Sequence, residues 1–236
     1  MSDHISRQFD QELDNIRARV LEMGGLVEAQ IKSAIEGLAT GNADLLLQVV
    51  ADDARVNTLE VTLDEDCQHI IARRQPTAGD MRMVFAVIKT ITDLERVGDE
   101  AVKIARRSQH IYDSGRIQVP RFTELKHTAE LAINMLKKSL DAFARLDAVS
   151  AAQVVRDDIQ LDEEYRAIIR QLITFMMEDP RTISTSLEII TIAKAIERIG
   201  DHAKNMSEYV VYMVKGKDIR HLPVSEVEKT AMAIDD

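Results

Sequence analysis

The sequence predicts an all-α fold of two tandem antiparallel three-helix bundles, related by a pseudo-two-fold internal repeat. Three observations carry this. Four prolines and nine glycines in 236 residues, no tryptophan and 4% aromatics leave few helix breakers and no strand-rich segment, while Ala, Leu, Ile, Glu, Arg and Met abound. Apolar residues recur at intervals of three and four along most of the chain, the spacing of one helix face. The pattern Glu-Arg-x-Gly-Asp occurs twice, at Glu95–Asp99 and Glu197–Asp201, offset by 102 residues, as a tandem duplication would leave it.

Each element follows from its pattern. Phe9, Leu13, Ile16, Val20, Met23, Val27, Ile31, Ile35 and Leu38 form one stripe and predict a first helix stopped at Thr40-Gly41-Asn42. The second runs from Asp44 to Arg74 and ends at Pro76. Thr77 or Asp80 can cap the third, which continues to Tyr112 and breaks at Asp113-Ser114-Gly115. The plan then restarts, with helices over 122–146, 149–177 and 183–214, separated by breaks at Asp147 and at Glu178-Asp179-Pro180. Short loops between long helices describe antiparallel bundles, assigned here to residues 1–115 and 116–236, the second with a loose polar tail from Asp218.

A net charge of −10 disfavours nucleic acid or an anionic membrane surface as the main partner. Met1 is followed by Ser-Asp-His rather than a basic and apolar leader, and no apolar run approaches the ~20 residues of a transmembrane span, so a cytoplasmic protein is expected. The single cysteine, Cys67, sits on an apolar stripe and reads as a small buried hydrophobe.

The repeated motif carries the chemistry. Glu95 and Asp99 lie one turn apart on a helix, as do Glu197 and Asp201, and both pairs fall on stripes that otherwise read as core. Buried unpaired carboxylates cost several kcal/mol each, so a counter-charge is required. Arg96, Arg198, Lys103 or Lys204 could supply it as ordinary ion pairs. The same pattern in both halves, with a glycine between the acids that costs each helix about 1 kcal/mol, favours a bound cation instead. A second correspondence, Val49–Asp53 with Val154–Asp158, has an offset of 105 and pairs Asp53 with Asp158, Asn57 with Asp162, Glu60 with Tyr165 and Asp64 with Ile169. Asp53, Asn57, Glu60, Asp158 and Asp162 thus join Glu95, Asp99, Glu197 and Asp201 as candidate ligands. The second half is poorer in carboxylates, so equal occupancy is not expected. Oxygen donors without cysteine suit magnesium, calcium, manganese or iron, with zinc less favoured. His202 neighbours Asp201 but points about a hundred degrees away around the helix, and the other five histidines read as surface residues.

A helical carboxylate cluster also raises a metal-dependent hydrolase or oxidase. The Glu-x-x-His of di-iron bundles is missing from both Glu95-Arg-Val-Gly98 and Glu197-Arg-Ile-Gly200, and no nucleophile–base pair or phosphate loop has supporting context.

The duplicated Glu-Arg-[Val/Ile]-Gly-Asp, together with Arg73-Arg-Gln-Pro-Thr77, Met176-Met-Glu-Asp-Pro180 and Tyr212-Met-Val-Lys-Gly-Lys-Asp218, resembles the PhoU family of bacterial phosphate-signalling regulators along nearly the whole chain. The resemblance implies two PhoU domains and a homodimer. It also implies metal clusters held by Glu95, Asp99, Glu197 and Asp201. It further implies a cytoplasmic, non-enzymatic adaptor between the ATPase subunit of a phosphate ABC transporter and a sensor histidine kinase, recruited to the inner face of the membrane through those partners. Such an adaptor keeps the phosphate-starvation regulon off when phosphate is plentiful. No phosphate-binding pocket is evident in the sequence, so the signal is expected to arrive through the transporter's conformation.

Overall fold

The computed structural model describes residues 2–74, 78–113 and 122–233. Six long helices follow the expected plan: α1 (Ser2–Thr40), α2 (Ala43–Arg74), α3 (Ala78–Asp113), α4 (Phe122–Arg145), α5 (Ala148–Glu178) and α6 (Ile183–Lys215). Among the described residues there is no strand. The expected cap at Thr77, the break at Pro76 and the boundary between residues 115 and 116 lie outside the described residues.

The repeat extends into the turns. Gly41 adopts a left-handed φ of 69°, and Asn42 then accepts from the amides of Asp44 and Leu45 at 3.1 and 3.3 Å to start α2. One offset of 105 residues later, Leu146 takes a φ of 56°, and Asp147 accepts from Val149 and Ser150 at 3.0 Å to start α5. Hydrogen bonds from the Ser150 hydroxyl and amide hold the Asp147 carboxyl below its usual range. A leucine in the place of Gly41 retains the turn at a steric cost that only a constrained site tolerates.

Helices α1, α2 and α3 pack on one another, as do α4, α5 and α6. The most extensive contact of all joins α3 to α6, with α1 against α4 beside it. The two bundles therefore share one continuous apolar core, from Leu13 and Val20 of α1 to Met206 and Val210 of α6. Cys67 lies within it as expected, its thiol pushed up to about 12 by burial and by Asp64 and Asp66.

One expectation needs correction. The polar tail is not loose: after Gly216 ends α6 with a φ of 66°, Val224–Met232 forms a short helix, α7, that packs on α5 and buries Val227, Thr230 and Ala231, with Ile219 buried before it. Nine residues carry too few apolar positions to reveal the helix among charged neighbours. His202, turned away from Asp201 as expected, is buried between the two halves. It is 6% exposed, and its Nδ1 lies 2.7 Å from Asp93 Oδ1 on α3, which also accepts from Asn205 at 3.3 Å. Position 202 points away from Asp201, and away from Asp201 lies the contact with α3.

Candidate functional site

Helix α3 packs on α1 and α2 along one side and on α6 along another, so its buried face is wider than a single stripe. In consequence its fully buried acids are Asp93 and Glu100, both facing the other half: Asp93 bonds His202, and Glu100 meets Lys103 at 2.6 Å and Arg198 at 3.3 Å. Glu95 is only half-buried and Asp99 is exposed, against the expectation that both sit in the core.

Glu95 and Asp99 nonetheless face α2 across a shared acidic field. Burial, then Asp99, Glu60 and Asp53, push the Glu95 carboxyl above its usual range. Asp53 is raised by burial and by Asp99, and Glu60 by burial and by Asp64, with Arg96 and Arg106 opposing from a distance. Asn57 donates to Asp53 Oδ2 at 3.3 Å, which makes it an orienting residue for Asp53.

The other oxygen, Asp53 Oδ1, is buried without a hydrogen-bond partner, and so is Oε1 of Gln30, a 4%-exposed residue of α1 whose amide nitrogen donates to the Val49 carbonyl at 3.4 Å. A Cβ at Gly98 would stand 3.4 Å from each of these two oxygens. Two orphaned acceptors therefore meet at the buried face of the motif glycine. Buried acceptors without donors are costly, and a hard cation or an ordered water satisfies them. Among the described residues no three His, Cys, Asp or Glu side chains are placed to hold a metal ion together. Asp53, Glu60, Glu95 and Asp99 share the acidic field, and the Gln30 amide oxygen lies beside them at Gly98. Nothing in the sequence singled out Gln30: a glutamine on an amphipathic helix reads as solvated until its burial is known.

The second half is built differently. Lys194 Nζ donates to both oxygens of Glu197 at 2.6 and 2.5 Å and lies 5.4 Å from the centre of the Tyr165 ring. Lys204 Nζ donates to Asp158 at 2.7 Å, and Asp162 is held by Arg166 at 3.1 Å. Asp201 remains: burial, Glu197 and Asp158 raise it to about 6 against the pull of Lys194 and Lys204. By the repeat offset of 102, Lys194 and Lys204 correspond to Thr92 and Val102 of the first half. Two covalently attached ammonium groups thus stand among the acids of the second half at places where the first half has threonine and valine. Gly200 differs from Gly98 in the same sense, because a Cβ there would lie 2.0 Å from Leu161 Cδ2 in closed core.

Comparison with known proteins agrees with this duplicated build. The family model described as "PhoU domain" matches residues 20–108 and 125–210. The chain belongs to the PhoU family. The "Phosphate-specific transport system accessory protein PhoU homolog" of Pseudomonas putida is 44% identical over 99% of this chain and 92% of its own. The Escherichia coli protein of that name, without "homolog", is 44% identical over 97% of this chain and 94% of its own. The crystal structure of PhoU from Pseudomonas aeruginosa superposes with a TM-score of 0.85 at 44% identity, over 89% of this chain and all of that one. That of the phosphate transport system regulatory protein PhoU from Streptococcus pneumoniae gives 0.83 at 26% identity, over 89% and 98% of the two chains. No helix of this PhoU-family chain, among the described residues, is long and apolar enough to cross a membrane.

Proposed function

We propose that this chain is a cytoplasmic negative regulator of the phosphate-starvation response. It acts as a homodimeric adaptor between the ATPase subunit of a phosphate ABC transporter and a sensor histidine kinase, and modulates phosphate uptake. The observation that carries the reading is full-length similarity to proteins named for the phosphate-specific transport system. The exposed apolar side chains Ile173, Met177, Ile183 and Leu187 flank the turn between α5 and α6, a surface suited to partner contact.

A divalent or trivalent cation (magnesium, manganese, iron or zinc) belongs to this reading in the first half, held by Asp53, Glu60, Glu95 and Asp99 with the Gln30 amide oxygen. When bound it supplies positive charge to a field of mutually repelling carboxylates. In the second half Lys194 and Lys204 supply that charge, so Asp158, Glu197 and Asp201 need no ion.

Deleting the gene and restoring it on a plasmid tests the regulatory role with a phosphate-repressed reporter. Derepression in abundant phosphate, reversed by the plasmid, is expected, and repression that survives deletion refutes it. Elemental analysis tests the cation: Glu95→Ala with Asp99→Ala abolishes bound metal, whereas Glu197→Ala with Asp201→Ala leaves it in place.

A further inference from the structure

Beside the acidic field, Asp53 and Asp99 also line a cleft of about 660 Å³ between the two halves, whose other walls include Arg96, Lys103, Arg106, Arg107 and Arg198. In a chain with 40 acidic against 30 basic residues, this local excess of positive charge inverts the overall balance. The cations divide into two kinds. Lys103 and Arg198 are tied to Glu100, and Arg107 to Glu188 at 3.3 Å. Arg96 and Arg106, both exposed, have no hydrogen bond or ion pair among the described residues. We infer that this cleft binds a small anion carrying a chain of phosphates, gripped by Arg96 and Arg106.

Size and spacing select this class. Cavities of about 300–1,000 Å³ hold small organic ligands, and 660 Å³ exceeds what a lone orthophosphate fills. Arg96, Lys103 and Arg106 share one face of α3 by their intervals of seven and three, and Arg96 and Arg106 stand about 15 Å apart along its axis. Two guanidinium groups reaching inward from that separation straddle an anion the length of a triphosphate, and guanidinium forks match phosphate oxygens in pairs. The Lys103 and Arg198 ion pairs with Glu100 fix the wall between the halves, so an anion held there contacts α3 and α6 together. The sequence did not reveal this cleft because its α3 cations follow no phosphate-loop pattern and its α6 wall, with Arg198, lies about a hundred residues away.

Asp53 and Asp99 would repel such an anion unless a cation stood between them. Tighter binding with magnesium therefore rests on the cation site proposed above, whereas the role of Arg96 and Arg106 does not. Calorimetric titration of the full chain with sodium tripolyphosphate, ATP, orthophosphate and an oligoglutamate peptide, in EDTA and again in magnesium, tests both. Tripolyphosphate is expected to bind in EDTA. Arg96→Ala with Arg106→Ala weakens it about tenfold or more, while the charge-matched pair Arg55→Ala with Arg170→Ala, outside the cleft, changes it by less than about twofold. ATP binding more tightly than tripolyphosphate assigns a nucleotide as the source of the phosphate chain, and equal binding assigns an inorganic chain. Equal weakening by the two variant pairs, oligoglutamate or orthophosphate binding as tightly as tripolyphosphate, or no binding of tripolyphosphate and ATP at millimolar concentration overturns the inference. Binding in EDTA that gains nothing from magnesium supports the cleft and counts against the cation site.

Discussion

Gly98 and Gly200 occupy the same place in the repeated motif, yet alanine at each is expected to do different things. At Gly200 the new Cβ would lie 2.0 Å from Leu161 Cδ2 and 3.5 Å from Met135 Cε, and Leu161 is 1% exposed, so its side chain would have to repack within the core. Overpacking of this kind costs about 3 kcal/mol, of which the better helix propensity of alanine returns about 1. A net loss near 2 kcal/mol in a chain of this size lowers Tm by roughly 4–8 °C. At Gly98 the nearest atoms are Asp53 Oδ1 and Gln30 Oε1 at 3.4 Å and Val56 Cγ1 at 3.5 Å, ordinary contact distances. There the propensity gain offsets the apolar methyl placed against two orphaned acceptors, and metal-free Gly98→Ala stays within about 1 kcal/mol of the parent. Its methyl group would stand against both oxygens, so under the proposed cation site any stabilisation that added manganese or magnesium gives the parent should be lost. Thermal unfolding followed by circular dichroism, in EDTA and with each metal, measures all three quantities. Equal destabilisation by the two substitutions, or full metal stabilisation of Gly98→Ala, would refute the distinction between a packing glycine and a site glycine.

Other substitutions probe the remaining assignments. Asp201, raised to about 6 chiefly by burial and then by Glu197 and Asp158, favours its protonated form in the fold, so its contribution is complete below pH 3.8 and is lost as pH rises through 6. Discounted for screening at a half-exposed site, Asp201→Asn should stabilise the metal-free protein by about 1 kcal/mol at pH 8 and hardly at all at pH 4, as urea midpoints will report; a loss at pH 8 contradicts the electrostatics. Asp93→Ala strands His202 and Asn205 between the halves and should cost about 3 kcal/mol, with Asp93→Ala/His202→Ala costing less than the sum of the single changes. Additive losses would mean that the pair does not act as a unit. Cys67 should resist a thiol reagent at pH 8 in the folded protein and react at once in urea; rapid reaction in the native state would show that α2 opens.

The six long helices and their ends were legible because the periodicity is long and the stops are chemically distinct: the expected stop at Thr40-Gly41-Asn42 meets the observed end of α1 at Thr40, and Asp147 caps α5 as the break there required. Failures occur where tertiary contact overrides a local pattern. Glu95 and Asp99 read as core acids on a stripe drawn for one bundle, but α3 serves two bundles, and the burial passes to Asp93 and Glu100. The acidic motif was visible as spacing, and Lys204 as one possible counter-charge among several. Nothing in the pattern marked Lys194 as the partner of Glu197 before its ammonium group was found there. Gln30 could not have been selected, because it lies 65 residues before Glu95 and carries no charge.

The lysines at 194 and 204 have one further consequence. A duplicated site normally gives two copies of one behaviour, but here the second copy holds ammonium groups on Glu197 and Asp158, whereas the first has threonine and valine at those two places. On the proposed cation reading, ion supply would act on the first copy alone. Since α3 and α6 are packed side by side, that copy would then be read against a twin whose charge is set by its own sequence.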